Sequence, residues 1–134
     1  MPNLTNKVAI ITGGAASIGR DISRELHRQG ASVVIAARTA EKGEALVKEL
    51  GERALYVQTD ITDDSQLEHL IETTIGEFGG IDILVNNACA YDDEGAQTTR
   101  ETWLSTINVS AISAAILGEM ARPHLAQRQG NIVN

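Results

Sequence analysis

Apolar and polar positions fall in blocks along this chain. Val8-Ala9-Ile10-Ile11-Thr12 is a continuous, β-branched apolar run closed by Gly13-Gly14; such a run reads as a strand buried on both faces, the signature of a parallel sheet. A helical pattern follows from Ile18 to about Gln29, and Gly30 supplies a C-cap. Ser32-Val33-Val34-Ile35-Ala36-Ala37 is a second strand, after which Thr39 caps a helix through Leu50 that Gly51 stops. Ala54-Leu55-Tyr56-Val57-Gln58 is a third strand, and a helix from about Asp63 to Phe78 carries an apolar stripe of Leu67, Leu70, Ile71 and Ile75. Gly79-Gly80 leads into Ile81 to Ala88, the fourth strand and its exit. The stretch Ala90 to Thr99 is polar and reads as a loop, and a long helical region from Arg100 to Arg122 is ended or bent by Pro123. Strands separated by helices at this rhythm predict an α/β fold with a parallel sheet and right-handed crossovers.

Composition narrows the class. The 134 residues, 43% hydrophobic, suffice for one domain with a real core. A net charge of -7 with scattered lysines and arginines argues against a nucleic-acid surface. No run of 18 apolar residues occurs, and Met1-Pro2-Asn3-Leu4-Thr5 is not a signal peptide, so no membrane partner and a cytoplasmic location are expected. Cys89 is the single cysteine, which fits a reducing compartment. His27, His69 and His124 lie far apart without ligand spacing and read as surface helix positions, so no metal site is expected.

The chemistry gathers where strands end. Gly13-Gly14-Ala15-Ala16-Ser17-Ile18-Gly19 turns sharply into a helix whose free N–H groups and positive dipole end make an anion site. It seats a dinucleotide pyrophosphate, or it is only a tight turn; the strict G-x-G-x-x-G spacing fails by one residue. Dinucleotide domains hold ribose hydroxyls with an acidic residue about twenty residues on. Ala37-Arg38 stands at that point instead, with no carboxylate to repel a 2′-phosphate and a guanidinium to hold one, unless Arg38 is simply solvated. Asp60 reads as a turn or capping aspartate. The Asn86-Asn87 pair can bond neighbouring main chain at the sheet centre. Cys89 reads as a small buried apolar residue. Asn108, mid-helix with poor propensity, calls for a local reason.

Taken together, Thr12-Gly13-x-x-x-Ser17-Ile18-Gly19, Asp60-Ile61, Asn86-Asn87-Ala88, Asn108 and Gly130-Asn131-Ile132-Val133-Asn134 resemble, in order, motifs of the short-chain dehydrogenase/reductase family. The resemblance covers all 134 residues but about the N-terminal half of a typical member. It implies a Rossmann-like, doubly wound parallel sheet of order 3-2-1-4-5, truncated in the fifth strand, with residues 1–134 the dinucleotide-binding part of a longer domain. It implies a cofactor against Gly13, Ala16, Ser17, Ile18 and Gly19; Asp60 accepting from the adenine amino group with Ile61 beside the ring; and Asn87, Ala88 and Cys89 lining ribose and nicotinamide. Arg38 after the non-acidic Ala37 goes with NADP(H), NAD(H) being the alternative. Asn108 matches the asparagine that joins the catalytic serine, tyrosine and lysine. Ser17 and Cys89 depart from the family, which usually has glycine at both places; the Ser17 hydroxyl is expected to donate to the phosphate or cap the helix. The implied activity is hydride transfer between nicotinamide and an alcohol or ketone, in a homo-oligomer built partly on the Arg100 to Arg122 helix face. The expected serine and Tyr-x-x-x-Lys fall after Asn134, so this chain alone is expected to be inactive and to self-associate. The rival reading is a nucleotide-binding or interaction module without turnover.

Overall fold

The computed structural model describes residues 3–92 and 94–134; Met1, Pro2 and Asp93, the last in the expected polar loop, lie outside the described residues. The strands are β1 (Val8–Thr12), β2 (Ser32–Ala37), β3 (Ala54–Gln58), β4 (Ile83–Val85) and β5 (Asn131–Val133). The helices are α1 (Ser17–Arg28), α2 (Ala40–Leu50), α3 (Asp64–Phe78), α4 (Arg100–Ile107) and α5 (Ser113–Gln127). All five strands pair in parallel in the order β3-β2-β1-β4-β5, with Ile10 beside Val34 on one side and Leu84 on the other. This is the expected Rossmann-like α/β sheet.

Two helical layers explain why β1 is apolar at every position. Ala9 and Ile11 face Ile22 and Leu26 of α1, and Ile35 with Tyr56 packs on Leu46 and Val47 of α2. On the other face Ile10, Val34 and Leu84 meet Leu67, Leu70 and Ile71 of α3 and Leu117, Ala121 and Leu125 of α5. A strand covered on both sides has no polar face to alternate with. Asp63 caps α3 by accepting from the Ser65 and Gln66 amides, and Gly79 ends it in the left-handed region. Outside the core, Arg24 of α1 and Glu49 of α2 form a bidentate pair with both contacts at 2.8 Å.

Three local expectations need correction. Pro123 does not end the last helix: α5 runs through it to Gln127. The proline removes one donor, but Ala121 and Leu125 on either side are buried against the sheet, and packing rather than propensity holds most helices. Thr39 stands at the N-cap of α2 without a side-chain hydrogen bond. The strand β4 proper is Ile83–Val85, although main-chain bonds continue on either side, from the Asp82 N–H to the Val8 carbonyl at 2.9 Å and from the Asn86 N–H to the Val133 carbonyl at 2.8 Å. By length and mean hydropathy the run Arg100–Gln127 matches a membrane span. Ser113, Leu117, Ala121 and Leu125 of that run are nonetheless buried in the protein core.

Candidate dinucleotide site at the carboxyl strand ends

The site is built around Thr12, the last residue of β1, which is 2% exposed. Its hydroxyl receives the main-chain N–H of Asn87 at 3.1 Å and of Ala88 at 3.0 Å, and itself donates toward the Val85 carbonyl at 3.4 Å. Asn87 returns the contact, its Nδ2 donating to the Thr12 carbonyl at 3.0 Å and the Gly13 carbonyl at 3.3 Å. The ends of β1 and β4 are thereby clamped, and the loop that leaves β1 is fixed in place. Sequence reasoning placed Asn87 here and missed Thr12 as the hub; the signal was a hydroxyl ending an otherwise apolar buried run.

Glycine is needed in this loop for close approach. Gly13 has φ +63, and a Cβ on it would meet the Ala88 Cα and Asn87 Nδ2 at 3.1 Å. A Cβ on Gly19 would stand 2.1 Å from the Gly13 carbonyl oxygen and 2.5 Å from Asn87 Nδ2. Buried Ser23 ties the same turn from below, its hydroxyl shared between the Gly14 and Gly19 carbonyls at 3.0 and 2.9 Å. Over this frame α1 begins at Ser17, and the first main-chain bond of the helix runs from the Arg20 N–H to the Ala16 carbonyl at 3.1 Å. Ahead of it, the Ile18 and Gly19 N–H groups have no main-chain acceptor among the described residues. Donors left free at a dipole end can seat a phosphate.

Ser17 does not cap the helix. Ala16 is the N-cap residue, and Ser17 sits at φ +48. A side chain in the left-handed region is strained by about 1–2 kcal/mol, against about 0.5–1 kcal/mol for the added freedom of an unfolded glycine. Ser17→Gly is therefore expected to stabilise the protein slightly, by about 0.5–1 kcal/mol. Urea denaturation checks this, and a lowered midpoint would show that the hydroxyl holds the loop.

At the end of β2, Ala37 is half-buried and Arg38 exposed. Arg38, Tyr56, Gln58, Asp60, Gln66 and His69 line an open groove of about 700 Å³. The Asp60 carboxylate accepts from the Thr62 hydroxyl at 2.7 Å and the Thr62 N–H at 3.0 Å through Oδ1. These bonds, with the nearby Arg38 charge, hold its pKa below the ordinary aspartate value against the effect of burial. Asp60 thus makes the turn its residue type predicts, while Oδ2 has no partner among the described residues. Ile61 packs half-buried against the core beside it.

Cys89 is exposed, which corrects the expectation of a buried residue. The neighbouring Cys89 thiol raises the Tyr91 pKa above the ordinary tyrosine value. Asn108 begins a π-helical turn, Asn108–Ile112, between α4 and α5. Val109 and Ser113 of this region line a small cavity with Thr12, Asn86 and Ala88, so the turn abuts the strand ends. The structure therefore gathers Gly13, Gly19, Asn87 and Ala88 into one cluster, with the Asn108 turn against it. Arg38 and Asp60 stand together in the groove.

The family model for short chain dehydrogenases matches residues 7–134. Tropinone reductase-like 2 of Erythroxylum coca is 40% identical over 92 residues, covering 69% of this chain and 34% of its own. The short-chain dehydrogenase/reductase FrzI of Cladobotryum sp is 39% identical over 129 residues, 92% of this chain and 50% of its own. The L-fucose dehydrogenase of Oryctolagus cuniculus is 32% identical over 130 residues, 96% of this chain and 45% of its own. The chain thus spans half or less of the length of these three relatives. With a match from Lys7 to Asn134 that takes in the whole sheet, the chain belongs to the short-chain dehydrogenase/reductase family.

Proposed function

We propose that residues 1–134 form the cofactor-binding part of an NADP(H)-dependent oxidoreductase acting on a small alcohol or ketone. The observation that carries this reading is the pairing of free N–H groups at the start of α1 with an arginine, and no carboxylate, just after β2. In this reading the main chain of Gly13, Ala16, Ser17, Ile18 and Gly19 cradles the pyrophosphate. Arg38 beside Ala37 holds the 2′-phosphate. Asp60 Oδ2 accepts from the adenine amino group next to Ile61. Asn87, Ala88 and Cys89 line the ribose and nicotinamide, and Asn108 serves a proton relay. The bound nicotinamide supplies or accepts the hydride, and the protein orients it. Support for the reaction class comes from relatives whose names speak of a reductase and of a dehydrogenase. A homo-oligomer in the cytosol completes the proposal, supported by Trp103, Leu104, Ile107 and Ile112, which are 45–62% exposed along one helical region.

The test is titration with NADPH and NADH. NADPH is expected to bind more tightly, and Arg38→Ala to remove most of the difference, about 1–3 kcal/mol for charge-assisted hydrogen bonds. Equal dissociation constants in the parent would make NAD(H) the cofactor and Arg38 a solvated side chain. A second reading, nucleotide binding without turnover by this chain, is favoured by one observation. Tyr56 and Tyr91 are followed four residues on by Asp60 and Gly95, so neither has the family's lysine. NADPH consumption with ketones by residues 1–134 would sink it.

A further inference from the structure

The helical region that carries Asn108 departs from α geometry at one place, the π turn Asn108–Ile112. Turns of this kind occur mostly as single insertions within helices and recur at functional sites. Here serine hydroxyls fasten it on two sides. Ser113, 2% exposed, donates its hydroxyl to the Asn108 carbonyl at 2.8 Å, and its N–H bonds the same oxygen. A carbonyl oxygen offers two lone pairs, so one residue five positions on fills both. Inside the turn, Ser110 Oγ accepts the Ala90 N–H at 3.3 Å, which ties the turn to the main chain leaving β4. The Asn108 side-chain amide makes no hydrogen bond among the described residues.

In α register the Asn108 carbonyl would take the Ile112 N–H, and every side chain upstream would turn by about 100° relative to α5. Serines within helices commonly bond a carbonyl one turn back. Ser113 reaches five back, which favours the wider turn. We propose that Ser113 is a positioning residue: its hydroxyl locks the π register of Asn108–Ile112, and with it the direction of the Asn108 amide and the seat of the main chain around Ala90. Its functional meaning rests on the reading of Asn108 as a relay residue; its geometry is tested without turnover.

NMR of the isotope-labelled chain is the experiment. In Ser113→Ala, the Asn108 carbonyl and side-chain amide signals shift, and the Ser113 and Ala90 amides exchange roughly fivefold faster, as the loss of one hydrogen bond implies. Ser113→Thr, which keeps the hydroxyl, restores parent signals and rates. Ser113→Cys, of similar size with a weak donor, reproduces the alanine result should Ser113→Ala fail to fold. Unchanged Asn108 signals in Ser113→Ala or Ser113→Cys overturn the proposal, as does a threonine variant that shifts as far as alanine. NADPH titration of the parent is run alongside. A parent that fails to bind NADPH overturns the functional reading, while the Asn108 signals decide the role of Ser113 separately.

Discussion

Gly19→Val is expected to abolish NADPH binding and to lower stability by about 1–3 kcal/mol or more, the penalty of overpacking a rigid site. The usual account of a glycine at such a place is room for the phosphate. In this loop the first obstruction is protein: a Cβ at Gly19 lies 2.1 Å from the Gly13 carbonyl oxygen and 2.5 Å from Asn87 Nδ2. Neither neighbour can yield cheaply. Gly13 is held at φ +63, its N–H donates to the Ala36 carbonyl at 2.8 Å, and Asn87 spans the Thr12 and Gly13 carbonyls. Relief would push α1 away from β1 and scatter the free N–H groups proposed to seat the pyrophosphate. Gly76 of α3 is the control, because a Cβ there meets nothing within 4 Å. Gly76→Ala should gain about 0.5–1 kcal/mol from helix propensity and leave NADPH affinity untouched. Fluorescence titration with urea midpoints on both variants decides the matter; NADPH binding by Gly19→Val at the parent affinity would show that the close approach is dispensable.

What the sequence made legible, and what it hid, follows from the kind of physics involved. Apolar runs, glycine stops and helical stripes report burial averaged over many residues, so element type was readable from Val8, Ser32, Ala54 and Ile83 onward, while the strand order followed from the family resemblance. The sharp turn after β1 was readable because Gly13 and Gly19 punctuate the pattern there. Single interactions that override a local rule left no periodic trace. The strain at Ser17, the continuation of α5 through Pro123 and the five-residue turn at Asn108 are each decided by tertiary contacts. Asp60 satisfied its expected turn and kept one oxygen free, so both readings of it fit one conformation. A charged residue within Ile81-Asp82-Ile83-Leu84-Val85 was a signal that went unused. An aspartate inside an apolar run must find partners or not be charged.

Asp82→Ala should be the most destabilising single change away from the candidate site. The Asp82 side chain is 5% exposed, and its Oδ2 accepts the Val8 N–H at 2.9 Å and the Arg128 guanidinium at 3.0 Å. Oδ1 faces the Lys7 ammonium at 3.4 Å. One carboxylate therefore joins the start of β1, the approach to β4 and the turn between α5 and β5. Arg128 is pressed so close over Gly80 that a Cβ there would meet its Nε at 2.1 Å. Removing the carboxylate leaves the Val8 N–H without its acceptor beneath a residue 3% exposed, and a guanidinium without its counter-charge. The carboxylate is buried but Arg128 is 33% exposed, so the loss is expected to be about 3 kcal/mol, the low end for a buried pair and still a large part of the roughly 5–15 kcal/mol that holds a typical domain. With a urea slope of about 1–3 kcal/mol per molar, the midpoint should fall by about 2 M. Asp82→Asn keeps an acceptor for Val8 and loses only the charge, so it should fall between parent and alanine. The exposed pair Arg122–Glu119 provides the contrast, since breaking a solvated pair should leave the midpoint where it was. Asp82 lies at the amino ends of the strands and the proposed cofactor site at their carboxyl ends, so the fraction of Asp82→Asn that remains folded should bind NADPH with parent affinity. A midpoint for Asp82→Ala within 0.3 M of the parent, an interval of roughly half a kcal/mol, would mean that water replaces the carboxylate and that the strand starts are held by packing alone.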